Sequence, residues 1–290
     1  MRTPNYSVIC LSVAILNACG GDGGGSAASS GAGVSSTPTP TPTPVVNQSL
    51  GGIWKSQYTV TSGANAGDTV NVLALINEQG EFVTVTKNTN NGCASVGFGQ
   101  GSTTGASASG TANWALIQYT TVNGIATNCT ETDGSTSGTS VLNGTVAQRA
   151  TLTLTDTDTT SNGTVEPAVT TTLRYDSLYG LTPSLNMIAG NYTDGANTLT
   201  ISSNGSIFEQ NPTTGCVVNG TISITNSAYN AYSFSLTYAN CTGTSAFLNG
   251  TTATGLASFD NTVTPNELDA SWHGTAGGQP YVIVGLFPQQ

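Results

Sequence analysis

Tyr232-Ser233-Phe234-Ser235-Leu236-Thr237-Tyr238 alternates large apolar and small hydroxyl side chains along one unbroken run. A period of two sends Tyr232, Phe234, Leu236 and Tyr238 to one face of an extended chain and the hydroxyls to the other. That is the pattern of a strand with one buried and one wet face. Val70, Val72, Ala74 and Ile76 repeat it, as do Leu152 and Leu154 between Thr151, Thr153 and Thr155. Asn204-Gly205, set between 199–202 and 206–210, supplies the turn of a hairpin.

Working outward, the composition agrees. Thr and Val abound, Gly and Asn punctuate the chain every few residues, and the helix formers Glu, Lys, Arg and Met are scarce. Nothing suggests the helices that parallel crossovers require. The expectation is all-β. With 37% hydrophobic residues the chain can build cores, while only 7% are charged, so its surface is Thr, Ser, Asn and Gly. The net charge of −10 and the absence of a basic run argue against nucleic-acid binding and against electrostatic attachment to anionic lipid.

The chain contains a repeat. Gly52-Ile53-Trp54 returns as Gly190-Asn191-Tyr192, Gly92-Cys93 as Gly215-Cys216, and Asn128-Cys129-Thr130 as Asn240-Cys241-Thr242. Leu142-Asn143-Gly144-Thr145 returns as Leu248-Asn249-Gly250-Thr251, and Gly180-Leu181-Thr182-Pro183 as Gly285-Leu286-Phe287-Pro288. The ordered set implies two tandem β-domains, 49–184 and 185–290. The first copy is longer, and 99–110 and 156–169 read as its extended loops. About eight short strands are countable in the second copy.

The first eighteen residues have the order of an export signal, with Arg2 before the apolar run 8–16. They end in Leu16-Asn17-Ala18-Cys19, which resembles the lipobox of bacterial lipoproteins. The resemblance implies a signal peptide 1–18, lipidation of Cys19 and attachment to a membrane through that lipid. Gly20 after the cysteine implies the outer membrane, with the surface or periplasmic face left open. Residues 19–48 then form a disordered linker, Gly/Ser-rich and followed by Thr-Pro pairs that favour a stiff polyproline spacer. Cys10 leaves with the signal and Cys19 takes the lipid, so four cysteines remain, two per repeat. An even number in an exported chain implies disulfides, and the equivalent positions select Cys93–Cys129 and Cys216–Cys241.

Eight consecutive antiparallel strands close naturally as an up-and-down barrel, which removes exposed edges. The opening Gly52-Ile53-Trp54, with its echo at Gly190–Tyr192 and an N-G turn, is similar to the avidin and lipocalin barrels of the calycin group. Val284-Gly285-Leu286 resembles the closing strand of surface lipoproteins with eight-stranded barrels, such as factor-H-binding and transferrin-binding lipoproteins. Ig-like sandwiches are the rival architecture.

Catalytic constellations are scarce. Asp269, Ser271 and His273 share one face of a strand, yet neighbours two apart lie roughly 6.5–7 Å apart by Cα and their side chains run parallel, so they do not make a relay. They read as a solvent-facing polar stripe over Trp272. No G-x-S-x-G elbow surrounds a serine, and a single histidine does not make a typical zinc or copper site. Asp156 and Asp158 read as an acidic exposed loop, and 97–101 as a Gly-rich loop without the Lys or helix start of a phosphate cradle. The acids Glu78, Glu81, Glu166, Asp194, Glu209 and Glu267 form no recognisable pair. Trp54, Trp114, Tyr119, Tyr192, Phe208, Tyr229 and Trp272 are the aromatics for a pocket or, more simply, for the core.

The expectation is therefore a non-enzymatic lipoprotein without cofactor or metal. It would have a binding or structural role at the cell surface, toward a protein or glycan. Alternatives are a periplasmic small-ligand carrier of lipocalin type and, further off, an envelope-polymer hydrolase.

Overall fold

A computed structural model describes residues 46–61, 66–118, 129–193, 198–212 and 214–290. Cys19 with its lipobox, Tyr119 and Asp194 lie outside them. The chain is all-β. β1 (Gly52–Thr59), β2 (Thr69–Ile76), β3 (Glu81–Asn88), β4 (Cys93–Thr104), β5 (Ser107–Gln118), β6 (Ser137–Ala147), β7 (Thr151–Thr160) and β8 (Val169–Asp176) pair in sequence order. The first and last strands join through Ile53–Asp176, Trp54–Tyr175 and Lys55–Arg174, which closes an antiparallel up-and-down barrel.

A 3-10 turn at Ser177–Gly180 and the short helix Leu185–Ile188 lead to the second meander. It comprises β9 (Gly190–Thr193), β10 (Thr198–Ile201), β11 (Ser206–Gln210), β12 (Val217–Ile224), β13 (Tyr232–Ala239), β14 (Thr252–Asp260), β15 (Glu267–Ala276) and β16 (Gln279–Pro288). This sheet remains an open half-barrel, with β9 and β16 meeting at the Tyr192–Gln289 bridge and through the Gln290 N–H bond to Asn191 O. Strand length explains the difference: β9 and β10 have four residues each against ten in β16, so little backbone faces its free edge.

The alternation read from sequence sets the interiors. Trp54, Val70, Val72, Ala74, Ile76, Leu152 and Leu154 fill the first barrel, and Tyr232, Phe234, Leu236, Tyr238 and Trp272 fill the half-barrel. The two copies plug one end in the same way. Trp54 donates its indole N–H to Leu50 O at 2.9 Å, and Tyr192 donates its hydroxyl to Ile188 O at 2.8 Å, each reaching four residues back.

Both disulfides join as expected, Cys93 to Cys129 and Cys216 to Cys241. In each copy they tie the start of the fourth strand to the segment after the fifth. Two repeat landmarks do not coincide in space. Leu142–Thr145 lies inside β6, whereas Leu248–Thr251 is the turn before β14; Gly180–Pro183 follows β8, whereas Gly285–Pro288 ends β16. Gly-, Asn- and Thr-rich text recurs at strands and at turns alike, so matching letters slipped by an element.

The expected loops 99–110 and 156–169 are also corrected. Most of the first is the β4–β5 hairpin, and 156–160 completes β7. Glycine here marks close backbone approach: a Cβ at Gly99 would lie 1.8 Å from Thr111 O.

The two β-domains pack against one another. Ile53, Leu75, Val83, Val85, Ala94 and Val96 on the outer face of the barrel form one buried cluster with Leu256 and Val282 of the half-barrel. Asn230 N–H bonds Tyr179 O at 2.9 Å, and Tyr179 stacks on Tyr229 at 5.1 Å.

Candidate functional site

The aromatics divide cleanly. Trp54, Trp114, Tyr192 and Trp272 are core, Phe208 is exposed, and Tyr229 stacks at the junction of the two domains, where Arg149 donates to its hydroxyl. The apolar end of the first lumen, between Leu50, Ile76, Phe82 and Leu142, holds a void of only about 20 Å³.

The Asp269–Ser271–His273 face is not solvent-facing. These residues pair with Leu286, Val284 and Val282 on β16, and that shared face meets the barrel. His273 stacks on Phe98 of β4 at 3.7 Å between ring centroids, and burial lowers its pKa. Phe98 and its glycine neighbours are strand, not loop. A sequence read in isolation gives the face of a strand but not what covers it.

Asp156 and Asp158 are not in an exposed loop either. On β7 they follow Leu152 and Leu154 into the barrel interior, 3% and 6% exposed, with Asp158 opposite Ser140 of β6. Neither carboxylate oxygen of Asp156 has a hydrogen-bond partner, nor does the indole N–H of buried Trp114. Desolvation raises the Asp156 pKa well above the carboxylate range, and the charge of Asp158 adds to this. Glu131 is pushed up to about 8 by burial and then by Glu166, Asp158 and Asp133. The inward-facing end of β7 thus carries a buried carboxyl, Asp156, that burial and Asp158 push toward its protonated form. Among the described residues no group of three or more His, Cys, Asp and Glu side chains is placed to hold a metal ion.

The larger spaces lie between the domains. One cleft of about 680 Å³ is lined by hydroxyl and amide side chains, including Gln100, Asn113, Thr221 and Ser235, beside the Phe98–His273 stack. The other, about 790 Å³, lies where the outer faces of β1, β2, β3 and β8 meet β15 and β16. Both volumes fall within the roughly 300–1,000 Å³ of small-molecule sites.

The lining of the larger cleft includes Lys55, Lys87 and Arg174 together with Leu73, Val85, Val284 and Leu286. They are three of the five Lys and Arg residues in the chain. Lys55 and Arg174 are direct cross-strand partners on the pair that closes the barrel. Like charges placed opposite one another destabilise a sheet, so this placement works against the fold.

Asp176 relieves part of it, since Lys55 Nζ approaches its carboxylate at 2.6 Å. Burial pushes Asp176 up, but bonds from Lys55 and the Leu178 N–H outweigh it and hold the carboxyl below its usual value. Asp269 faces the same cleft and is pushed up to about 6 by burial, against the pull of Lys87 and Lys55 and with Glu267 adding to the rise. Arg174 has no ion-pair partner among the described residues.

Sequence reasoning missed this site because its cations are 32 and 87 residues apart, and it looked for a basic run. The available signal was barrel closure: once β8 lies beside β1, period two places Lys55 and Arg174 on the same outer face.

No protein-family model, no curated protein and no solved structure matches this chain.

Proposed function

We propose that the protein is a non-catalytic lipoprotein, anchored in the outer membrane through Cys19, whose paired β-domains bind a ligand in the space between them. The observation that carries the reading is that Lys55, Lys87 and Arg174 all line one interdomain cleft in a chain of net charge −10. Cations so rare, two of them placed directly opposite each other on the closing strands, break a local rule of sheet stability, which supports a role other than folding. The lipobox and the stiff spacer support display of the domains away from a membrane surface. The shortage of unburied paired acids and the single histidine support a binding role over a catalytic one.

Two measurements test this. Substituting Cys19→Ala is expected to move the protein from the membrane to the soluble fraction and to abolish acyl labelling. Retention of both would remove the anchor from the account. Protease treatment of intact cells, read through a C-terminal tag beside a periplasmic marker, then assigns the face. Loss of the tag with the marker intact means display at the surface, and protection until the outer membrane is opened means the periplasm.

A further inference from the structure

Resting on the binding reading above, we propose that the larger interdomain cleft takes an anionic amphiphile, a single carboxylate head carrying an acyl chain. Arg174 projects from the outer face of β8 with its guanidinium uncommitted among the described residues. A planar guanidinium matches a carboxylate through two parallel hydrogen bonds. Lys55 pairs with Asp176, and Lys87 lies close enough to Asp269 to pull on its titration. These two therefore add a positive field more than a free contact.

Beside these cations, and among the polar Ser56, Gln57, Asn71, Thr172 and Asp269, part of the lining is hydrocarbon. Leu73 and Val85 come from the barrel, and Val284 and Leu286 from β16. Leu286 is 49% exposed, so this lining carries apolar surface that is open to solvent. A purely ionic ligand leaves that hydrocarbon wet, and a purely apolar one leaves an uncompensated cation beside it. A ligand with both parts satisfies the cations and the hydrocarbon together. The lumen is no competitor, because its apolar end is filled by Trp54, Ile76, Phe82 and their neighbours.

The test is titration calorimetry on the full exported chain carrying Cys19→Ala, which keeps lipid and detergent out of the site. The probes are dodecanoate below its micellar concentration, acetate as the head alone, and dodecyl maltoside as a neutral head on the same chain. Saturable one-to-one binding of dodecanoate is expected, at least tenfold tighter than either control. R174A and K87A should each weaken it tenfold or more, whereas Q148E, an equal charge change outside the cleft, should leave it unchanged.

Equal binding of dodecyl maltoside would reduce the cleft to an apolar groove and overturn the proposal. Equal binding of acetate would leave a plain anion site and overturn it as well, as would dodecanoate binding that survives both R174A and K87A. If dodecanoate fails but an acidic glycan or peptide binds and is lost in R174A, this ligand class falls while the binding reading stands. If no probe binds a folded protein, both fall.

Discussion

Trp54 and Tyr192 show at single-residue scale what the repeat preserves. The aromatic changes, but the fully buried ring and the bond to the carbonyl four residues back do not. Trp54→Ala should cost about 3–5 kcal/mol in urea unfolding, the range for emptying a buried aromatic site. Phe208→Ala on the exposed face should cost under about 0.5 kcal/mol. A small loss at Trp54 would mean that the barrel end is not closed by its ring.

The buried carboxyls make a second residue-scale prediction, with an unusual sign. Glu131 and Asp156 have raised folded pKa values, so the folded state holds protons that the unfolded chain has released. Their contribution is fully present below the ordinary carboxylate range and is lost as pH rises through the folded values, about 8 for Glu131. Asp176, held low, acts oppositely and only at the acid end. Stability should therefore fall by roughly 2–4 kcal/mol between pH 5 and pH 8. Asp156→Asn should flatten that slope and stabilise the protein at pH 8. A stability maximum at or above pH 8 would contradict the buried placement.

At the scale of elements, legibility followed periodicity. The strands around Val70–Ile76, Leu152–Leu154 and Tyr232–Tyr238 alternate cleanly, because one face is core and the other is wet, and they fold as read. The 99–110 hairpin was opaque, since glycines that permit close strand approach look like loop residues. Asp156 and Asp158 are opaque for a related reason: an acidic side chain inside a barrel is rare, and in sequence polarity reads as exposure.

The disulfides were legible because each repeat fixed the partner of the other. Their expected effect is also local. Replacing Cys216 and Cys241 by Ala should cost about 3 kcal/mol, from a loop closed over 25 residues. The open half-barrel, with its short β9 and β10, should then melt first. Thermal unfolding with and without reductant reads this, and an unchanged melting temperature would show that the bond contributes nothing.

For the whole molecule, the decisive feature is that the two tandem domains are docked on one another. The apolar outer face of β1 to β4 is covered by β14 and β16, and the clefts exist only because of that docking. Val85→Asp puts a charge into the buried seam. It should enlarge the radius of gyration in small-angle scattering while the strand signal in circular dichroism persists. An unchanged radius would mean that the seam does not hold the domains together.

Methyl NMR decides whether the working site lies between the domains or inside a barrel. Dodecanoate would be titrated into Leu/Val-methyl-labelled protein and the shifting residues assigned. Shifts are expected at Leu73, Val85, Val284 and Leu286, with Leu142, Leu152 and Leu154 of the lumen unmoved. Shifts confined to those lumen methyls would contradict it and make the first domain a carrier that opens to take its ligand inside.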